Sequence, residues 1–358
     1  MKLDKFDLDT YLLPFWRAKE VYHETLTFVG EEDEAPLLYP PTEIICARNF
    51  GLDTVYEQGK DFVLTQEGKI KRLKGSKMPY FPVDEFYSTE RGQHSLRVFE
   101  DKEGVSFEEP RYFAFGEGSF ITSRQVAISY RHASKFEGRI PPCKKEKLPK
   151  TSASLSNKQP IKIAFYGDSI TVGGNASGLS FGGNVAPYMD GFDRMVVRRL
   201  EEQFGVKIDM HNGAVGGWNV TQGKEHFSER MGSFTPDLMI LGFGMNGALQ
   251  EVSGYKADTL EIIRQARERN PLCEVVLIST TLPNPHIDWM RNQPLYAGAL
   301  YELEKELDGV VVADMTAMHT YLLTKKRFRD MTANNINHPN DFLIRVYAQV
   351  ILQTISGI

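Results

Sequence analysis

The stretch Ile161-Lys162-Ile163-Ala164-Phe165-Tyr166-Gly167-Asp168-Ser169-Ile170-Thr171 decides the fold. Apolar residues dominate its first half, as in a strand buried on both faces. The run breaks at Gly167-Asp168-Ser169. The carboxyl end of a parallel strand is where α/β sheets place their ligands. A serine there can sit on a tight turn with its hydroxyl exposed. Gly-Asp-Ser alone is also ordinary turn chemistry, so its meaning depends on the segments downstream of it.

Three such segments occur in order. His211-Asn212-Gly213-Ala214-Val215-Gly216-Gly217-Trp218-Asn219 comes after the alternating strand Val206 to Met210. Its glycines let the backbone approach a ligand and aim N–H groups at it. Asp237 to Asn246 is a second buried strand, ending in Gly242-Phe243-Gly244-Met245-Asn246. Asn335-Ile336-Asn337-His338-Pro339 supplies a histidine just before the last helix expected from the pattern. Together these offer a nucleophile, a base, backbone N–H groups and an amide. That is the equipment for acyl transfer through a tetrahedral oxyanion. Ser169 attacks a carbonyl carbon and His338 takes its proton. The N–H groups of Ser169 and Gly217 and the side-chain amide of Asn246 hold the oxyanion.

These four blocks resemble the SGNH, or GDSL, hydrolases. Gly167-Asp168-Ser169 matches the first block, Asn212, Ala214, Gly216 and Gly217 the second, and Gly244-Met245-Asn246 the third. The last block in that family usually reads D-x-x-H. Here it is Asn335-Ile336-Asn337-His338, so the histidine matches and the aspartate does not. The resemblance implies a flavodoxin-like sheet of about five parallel strands between helices. The chain also resembles two-domain carbohydrate esterases, in which a jelly roll precedes the SGNH domain. Some of those work with a Ser-His dyad, a backbone carbonyl replacing the aspartate. The resemblance therefore implies a serine esterase removing small acyl groups, acetyl above all, from a sugar. A lipase, lysophospholipase, thioesterase or acyltransferase of the same fold is the alternative, and an inactive binding protein a more distant one. What orients His338 stays open between the Asn335 side chain and a backbone carbonyl, with the carbonyl favoured. Asp168 and Trp218 are weaker candidates for substrate contact, and Trp218 serves equally well as a packed indole.

The rest of the chain sets bounds. At 358 residues, with 41% hydrophobic and 25% charged residues, it has a globular composition and room for two domains. The net charge of −5 and the lack of basic runs with interleaved aromatics argue against a nucleic-acid partner. Cys46, Cys143 and Cys273 are far apart, and no CxxC or HExxH spacing occurs, so no metal or other cofactor is expected. No apolar run reaches the roughly 18 residues of a membrane span. The opening residues carry acids where a signal peptide needs an apolar core, so a cytoplasmic, reduced setting is expected.

Residues 144–160 are polar, Ser/Lys/Pro-rich and aperiodic, a linker composition. Before them, in residues 1–143, short alternating runs at Val21 to Val29, Thr42 to Ala47, Ser95 to Phe99 and Gln125 to Arg131 suggest a β-sandwich of jelly-roll type. A hairpin is expected around Glu67-Gly68. Nothing in this half looks catalytic. Tyr80, Phe81, Phe86 and Tyr87 are expected as packing, or less readily as the lining of a sugar cleft. After residue 160, helical spacing appears at Phe192 to Phe204, Leu260 to Arg269, Gln293 to Leu307 and Phe342 to Ile355. Strands are expected at Glu274 to Ile278 and Val310 to Ala313.

Overall fold

The computed structural model describes residues 7–97, 112–179, 183–287 and 289–358. Its organising element is a parallel sheet of five strands: β1 (Ile161–Gly167), β2 (Ile208–Asn212), β3 (Leu238–Gly242), β4 (Glu274–Ile278) and β5 (Val310–Ala313). Their spatial order is β2-β1-β3-β4-β5. The order reverses at β1, so the chain leaves β2 and β3 on opposite sides of it. Such a reversal opens a crevice at the carboxyl ends of the strands, the usual ligand position in doubly wound sheets. β1 is therefore flanked by both strands whose ends carry the candidate oxyanion donors.

Helices cover the sheet. Phe192–Phe204, Gln293–Glu306 and Asp341–Ser356 fall within one residue of the spacing-based expectation. The helix expected from Leu260 begins earlier, at Val252. Its first turns carry Ser253, Gly254, Lys256 and Asp258, and this polarity hides a buried stripe of Tyr255, Thr259, Ile262, Ile263 and Ala266. No helix among the described residues is long and apolar enough to cross a membrane.

The N-terminal half is built from antiparallel sheets, as expected of a sandwich-like domain. A four-stranded sheet runs in the order Glu20–Thr27, Gln125–His132, Pro41–Asn49, Val55–Tyr56. Glu34–Pro36, Lys69–Arg72 and Phe62–Leu64 form a second sheet, Tyr87–Ser88, Tyr112–Ala114 and Ser95–Arg97 a third. The expected hairpin is present, Phe62 pairing with Arg72 and Leu64 with Ile70. Of the run Ser95 to Phe99, residues 98 and 99 lie outside the described residues. Phe81 and Phe86 are core, as expected of packing aromatics.

The segment read as a linker is a docked element. Pro149–Ser156 is a helix, with proline at its start and Leu148 and Leu155 fully or nearly buried. The backbone N–H groups of Lys150 and Thr151 donate to the Glu274 carboxylate, each at 2.8 Å. Seven residues separate the two leucines, a helical repeat too brief to stand out in a polar stretch. The two halves also share one apolar core: Leu26, Phe28, Ile128 and Tyr130 pack in the same cluster as Phe342, Tyr347 and Val350.

Candidate active site

Ser169 follows β1 directly and starts the short helix Ser169–Val172. Gly167 makes this turn possible. A Cβ there would lie 2.2 Å from the Gly242 carbonyl oxygen and 2.3 Å from Thr171 Oγ1, so any side chain would force β1 and β3 apart. Asp168 caps the helix, accepting the Ile170 N–H at 3.0 Å, and its other oxygen faces the Met245 N–H at 3.4 Å. It thereby ties the serine turn to the loop carrying Asn246. Burial pushes the Asp168 carboxyl up to about 6, against the pull of these N–H groups. Asp168 is thus a structural anchor behind the serine, not an exposed substrate contact.

His338 Nε2 lies 2.9 Å from Ser169 Oγ. Sequence reasoning paired these two residues across 169 positions, and the fold brings them into hydrogen-bond contact. The histidine sits in a tightly held loop. Asn334 Oδ1 accepts the N–H groups of Ile336, Asn337 and His338, and the His338 carbonyl accepts from Thr332 Oγ1 at 2.9 Å.

The oxyanion donors are less complete. Gly217 has φ +80°, a left-handed conformation that favours glycine. Asn212, at the end of β2, fixes the approach to it by accepting the Ala214 N–H and donating to the Thr171 carbonyl. Asn246 Nδ2 donates to the Trp218 carbonyl at 3.1 Å. That bond joins the loops after β2 and β3. An amide carries two hydrogens, so one remains for an oxyanion. The Trp218 indole packs half-buried near the His226 ring, as a packed side chain would.

Asn335 does not orient His338. It adopts φ +65°, which asparagine tolerates, and this turn carries its side chain away. Its amide donates to the Ala114 carbonyl at 2.9 Å in the N-terminal half. Among the described residues, side chains rather than the expected backbone carbonyl are seen against His338 Nδ1. The group facing His338 Nδ1 is a carboxylate: Glu117 Oε2 at 3.1 Å. Asn175 Nδ2 also approaches Nδ1, at 3.3 Å. Nothing in the sequence links Glu117, between Gly116 and Gly118 in a half expected to be non-catalytic, to a histidine 221 positions away.

The tautomer is set by this network. Nε2 must be unprotonated to accept from the Ser169 hydroxyl, so Nδ1 carries the hydrogen and donates it to Glu117. Burial works against ionisation of Glu117. Hydrogen bonds from His338, Asn334 and Asn175 outweigh it and hold the carboxyl below the usual glutamate range. A serine hydroxyl, an accepting imidazole nitrogen and an ionised carboxylate behind it form the arrangement that activates a nucleophile.

Residues 165–342 match the model of the GDSL-like lipase/acylhydrolase family, and this region of the chain belongs to that family. A comparison with curated proteins returns no match. Among solved structures, a two-domain esterase (CEX) active on acetylated mannans, crystallised with mannopentaose, is 19% identical with a TM-score of 0.46. The match covers 59% of this chain and 53% of that one, so it spans about half the length of that esterase. A variant of Axe2, an acetyl xylan esterase from Geobacillus stearothermophilus, is 21% identical with a TM-score of 0.44, covering 55% of this chain and 94% of that one. LAE5, an alpha/beta hydrolase enzyme from the metagenome of Lake Arreo in Spain, is 17% identical with a TM-score of 0.45, covering 55% and 95%. The assignment of chemistry to Ser169 and His338 rests on none of these three likenesses.

Proposed function

We propose that this protein is a serine esterase that removes small acyl groups, acetyl above all, from a carbohydrate. The observation that carries the esterase reading is the 2.9 Å contact between Ser169 Oγ and His338 Nε2 at the reversal point of the sheet. In the first step Ser169 Oγ bonds to the ester carbonyl carbon as its proton passes to His338 Nε2. The carbonyl oxygen becomes an oxyanion held by the N–H groups of Ser169 and Gly217 and the Asn246 amide. Collapse breaks the bond to the sugar oxygen, which takes the proton from His338 and departs as a hydroxyl, leaving an acyl group on Ser169. Water then repeats the sequence and releases the acid.

Asn175, Asn334, Asn337 and Glu117 make the neighbourhood of His338 polar. A cavity of about 440 Å³ lies between the halves, but Asn335, not His338 or Ser169, contributes to its lining. A lipase needs an apolar channel leading to the serine, and this cavity does not supply one.

The test is a panel of p-nitrophenyl esters from acetate to octanoate, with acetylated oligosaccharides and an acyl-CoA. Acetate is expected to be preferred over octanoate by about tenfold or more, because an acyl pocket shaped for acetyl gains nothing from added methylenes. A preference for octanoate would overturn the small-acyl reading. A folded protein that hydrolyses none of these esters would overturn the esterase reading.

Asn246→Ala tests the oxyanion assignment separately. It is expected to lower kcat by roughly 10²–10³ with little change in KM, because the donor acts on charge that develops only in the transition state. A change confined to KM would assign Asn246 to ground-state binding.

A further inference from the structure

We propose that Glu117, contributed by the N-terminal half, is a carboxylate that positions His338 and stabilises its imidazolium, so that the catalytic relay closes across the junction of the two halves. The proposal rests on the reading of Ser169 and His338 as nucleophile and base. Three observations carry it. Glu117 Oε2 stands 3.1 Å from His338 Nδ1, on the ring edge opposite the 2.9 Å contact with Ser169. The carboxylate is itself held: Oε1 accepts from Asn334 Nδ2 at 3.0 Å and Oε2 from Asn175 Nδ2 at 2.6 Å. Asn334 also caps the His338 loop, so a single residue fixes base and carboxylate relative to each other. Lastly, the position three residues before the histidine holds Asn335, whose side chain is engaged with Ala114.

The junction that brings Glu117 to His338 is built, not incidental. Asn335 Nδ2 reaches the Ala114 carbonyl, three residues before Glu117. Gln125 Nε2 donates to the Thr332 carbonyl at 2.9 Å, and Asn340 Nδ2 donates to Gln125 Oε1 at 3.1 Å. These bonds bracket both ends of the His338 loop with groups flanking the Glu117 turn. The first half is therefore part of the catalytic centre, and not only a module for binding substrate.

Glu117 is a positioning residue: it touches the histidine and not the substrate. Glutamine in its place keeps the shape but presents an NH₂ group. With three donors already facing this carboxylate, at least one of them then meets another donor, and the negative charge that stabilises the imidazolium is gone. Asparagine in place of a buried triad aspartate costs about 10⁴ in kcat. The Glu117 side chain is 39% exposed, so water replaces part of its role. The expected loss for Glu117→Gln in the full-length protein is on the order of 10²–10³ in kcat on p-nitrophenyl acetate, with KM changed by less than about threefold.

Proton NMR supplies a readout that does not depend on turnover. The far-downfield Nδ1–H resonance of His338, identified by its loss in His338→Ala, should be present in the wild type and in Ser169→Ala. It should vanish in Glu117→Gln and Glu117→Ala, with circular dichroism unchanged. Wild-type-like kcat in Glu117→Gln, with an active wild type, would overturn the proposal and leave the esterase reading standing. Persistence of the resonance in both Glu117 variants would overturn it too. An inactive wild type whose resonance depends on Glu117 would retain the contact and sink the esterase reading.

Discussion

Replacing Ser169 by alanine is expected to lower kcat on p-nitrophenyl acetate by about 10⁶, the scale seen when a serine hydrolase loses its nucleophile. The structure makes this a clean experiment. Ser169 is nearly buried, and its hydroxyl faces His338. Its backbone, which accepts the Gly174 N–H, is unaffected by the change. Alanine also favours a helical position. The variant should therefore keep its fold and lose its chemistry. Turnover should fall together with the burst of p-nitrophenol that marks an acyl-enzyme. A variant retaining more than a tenth of wild-type turnover would exclude Ser169 as nucleophile and leave the hydrolysis to another group.

The parallel-sheet half was legible because its signals are local. β1 and β3 are short apolar runs that end in glycine, glycines follow β2, and Ser169, Gly217 and Asn246 each lie within a few residues of such an end. Ser169 and Asn246 could be named because loops at strand ends are where this architecture gathers side chains, and His338 from its place just before the last helix. The boundaries of Glu274–Ile278 and Val310–Ala313 could be drawn for the same reason.

What was not legible is long-range. Pro149–Ser156 looks like a linker because a two-turn helix needs only one buried face, here little more than Leu155 and Thr151. Glu117 was hidden more deeply. An acid between two glycines in a β-rich half carries the composition of a turn, and no spacing marks a partner 221 residues away. The absence of an acid at Asn335 was readable, whereas its replacement required the packing of one half on the other. The preference for a backbone carbonyl came from resemblance alone, and the geometry at His338 Nδ1 replaces it with Glu117.

The same junction makes a second large effect testable. Glu24→Ala is expected to destabilise the protein by about 3–5 kcal/mol, the cost of stranding one partner of a buried ion pair. Glu24 and Lys326 are paired with both side chains fully buried. Glu24 also accepts the Leu38 N–H at 2.8 Å and the Tyr130 hydroxyl at 2.7 Å, so its loss strands two further donors. Lys326 begins the segment that ends at His338. Asp330, four residues on, accepts the Thr27 N–H at 2.7 Å, which pins that segment to the N-terminal sheet. Removing Glu24 thus leaves an uncompensated ammonium at the base of the histidine loop. Denaturant titration with an unchanged slope should show the lower midpoint. Replacing both residues by methionine removes the stranded charge and should recover part of the loss. It should not recover all of it, because Leu38 and Tyr130 still lack their acceptor. A single variant less than about 1 kcal/mol below wild type would mean that water reaches Lys326, and that the two halves separate enough in solution to let it in.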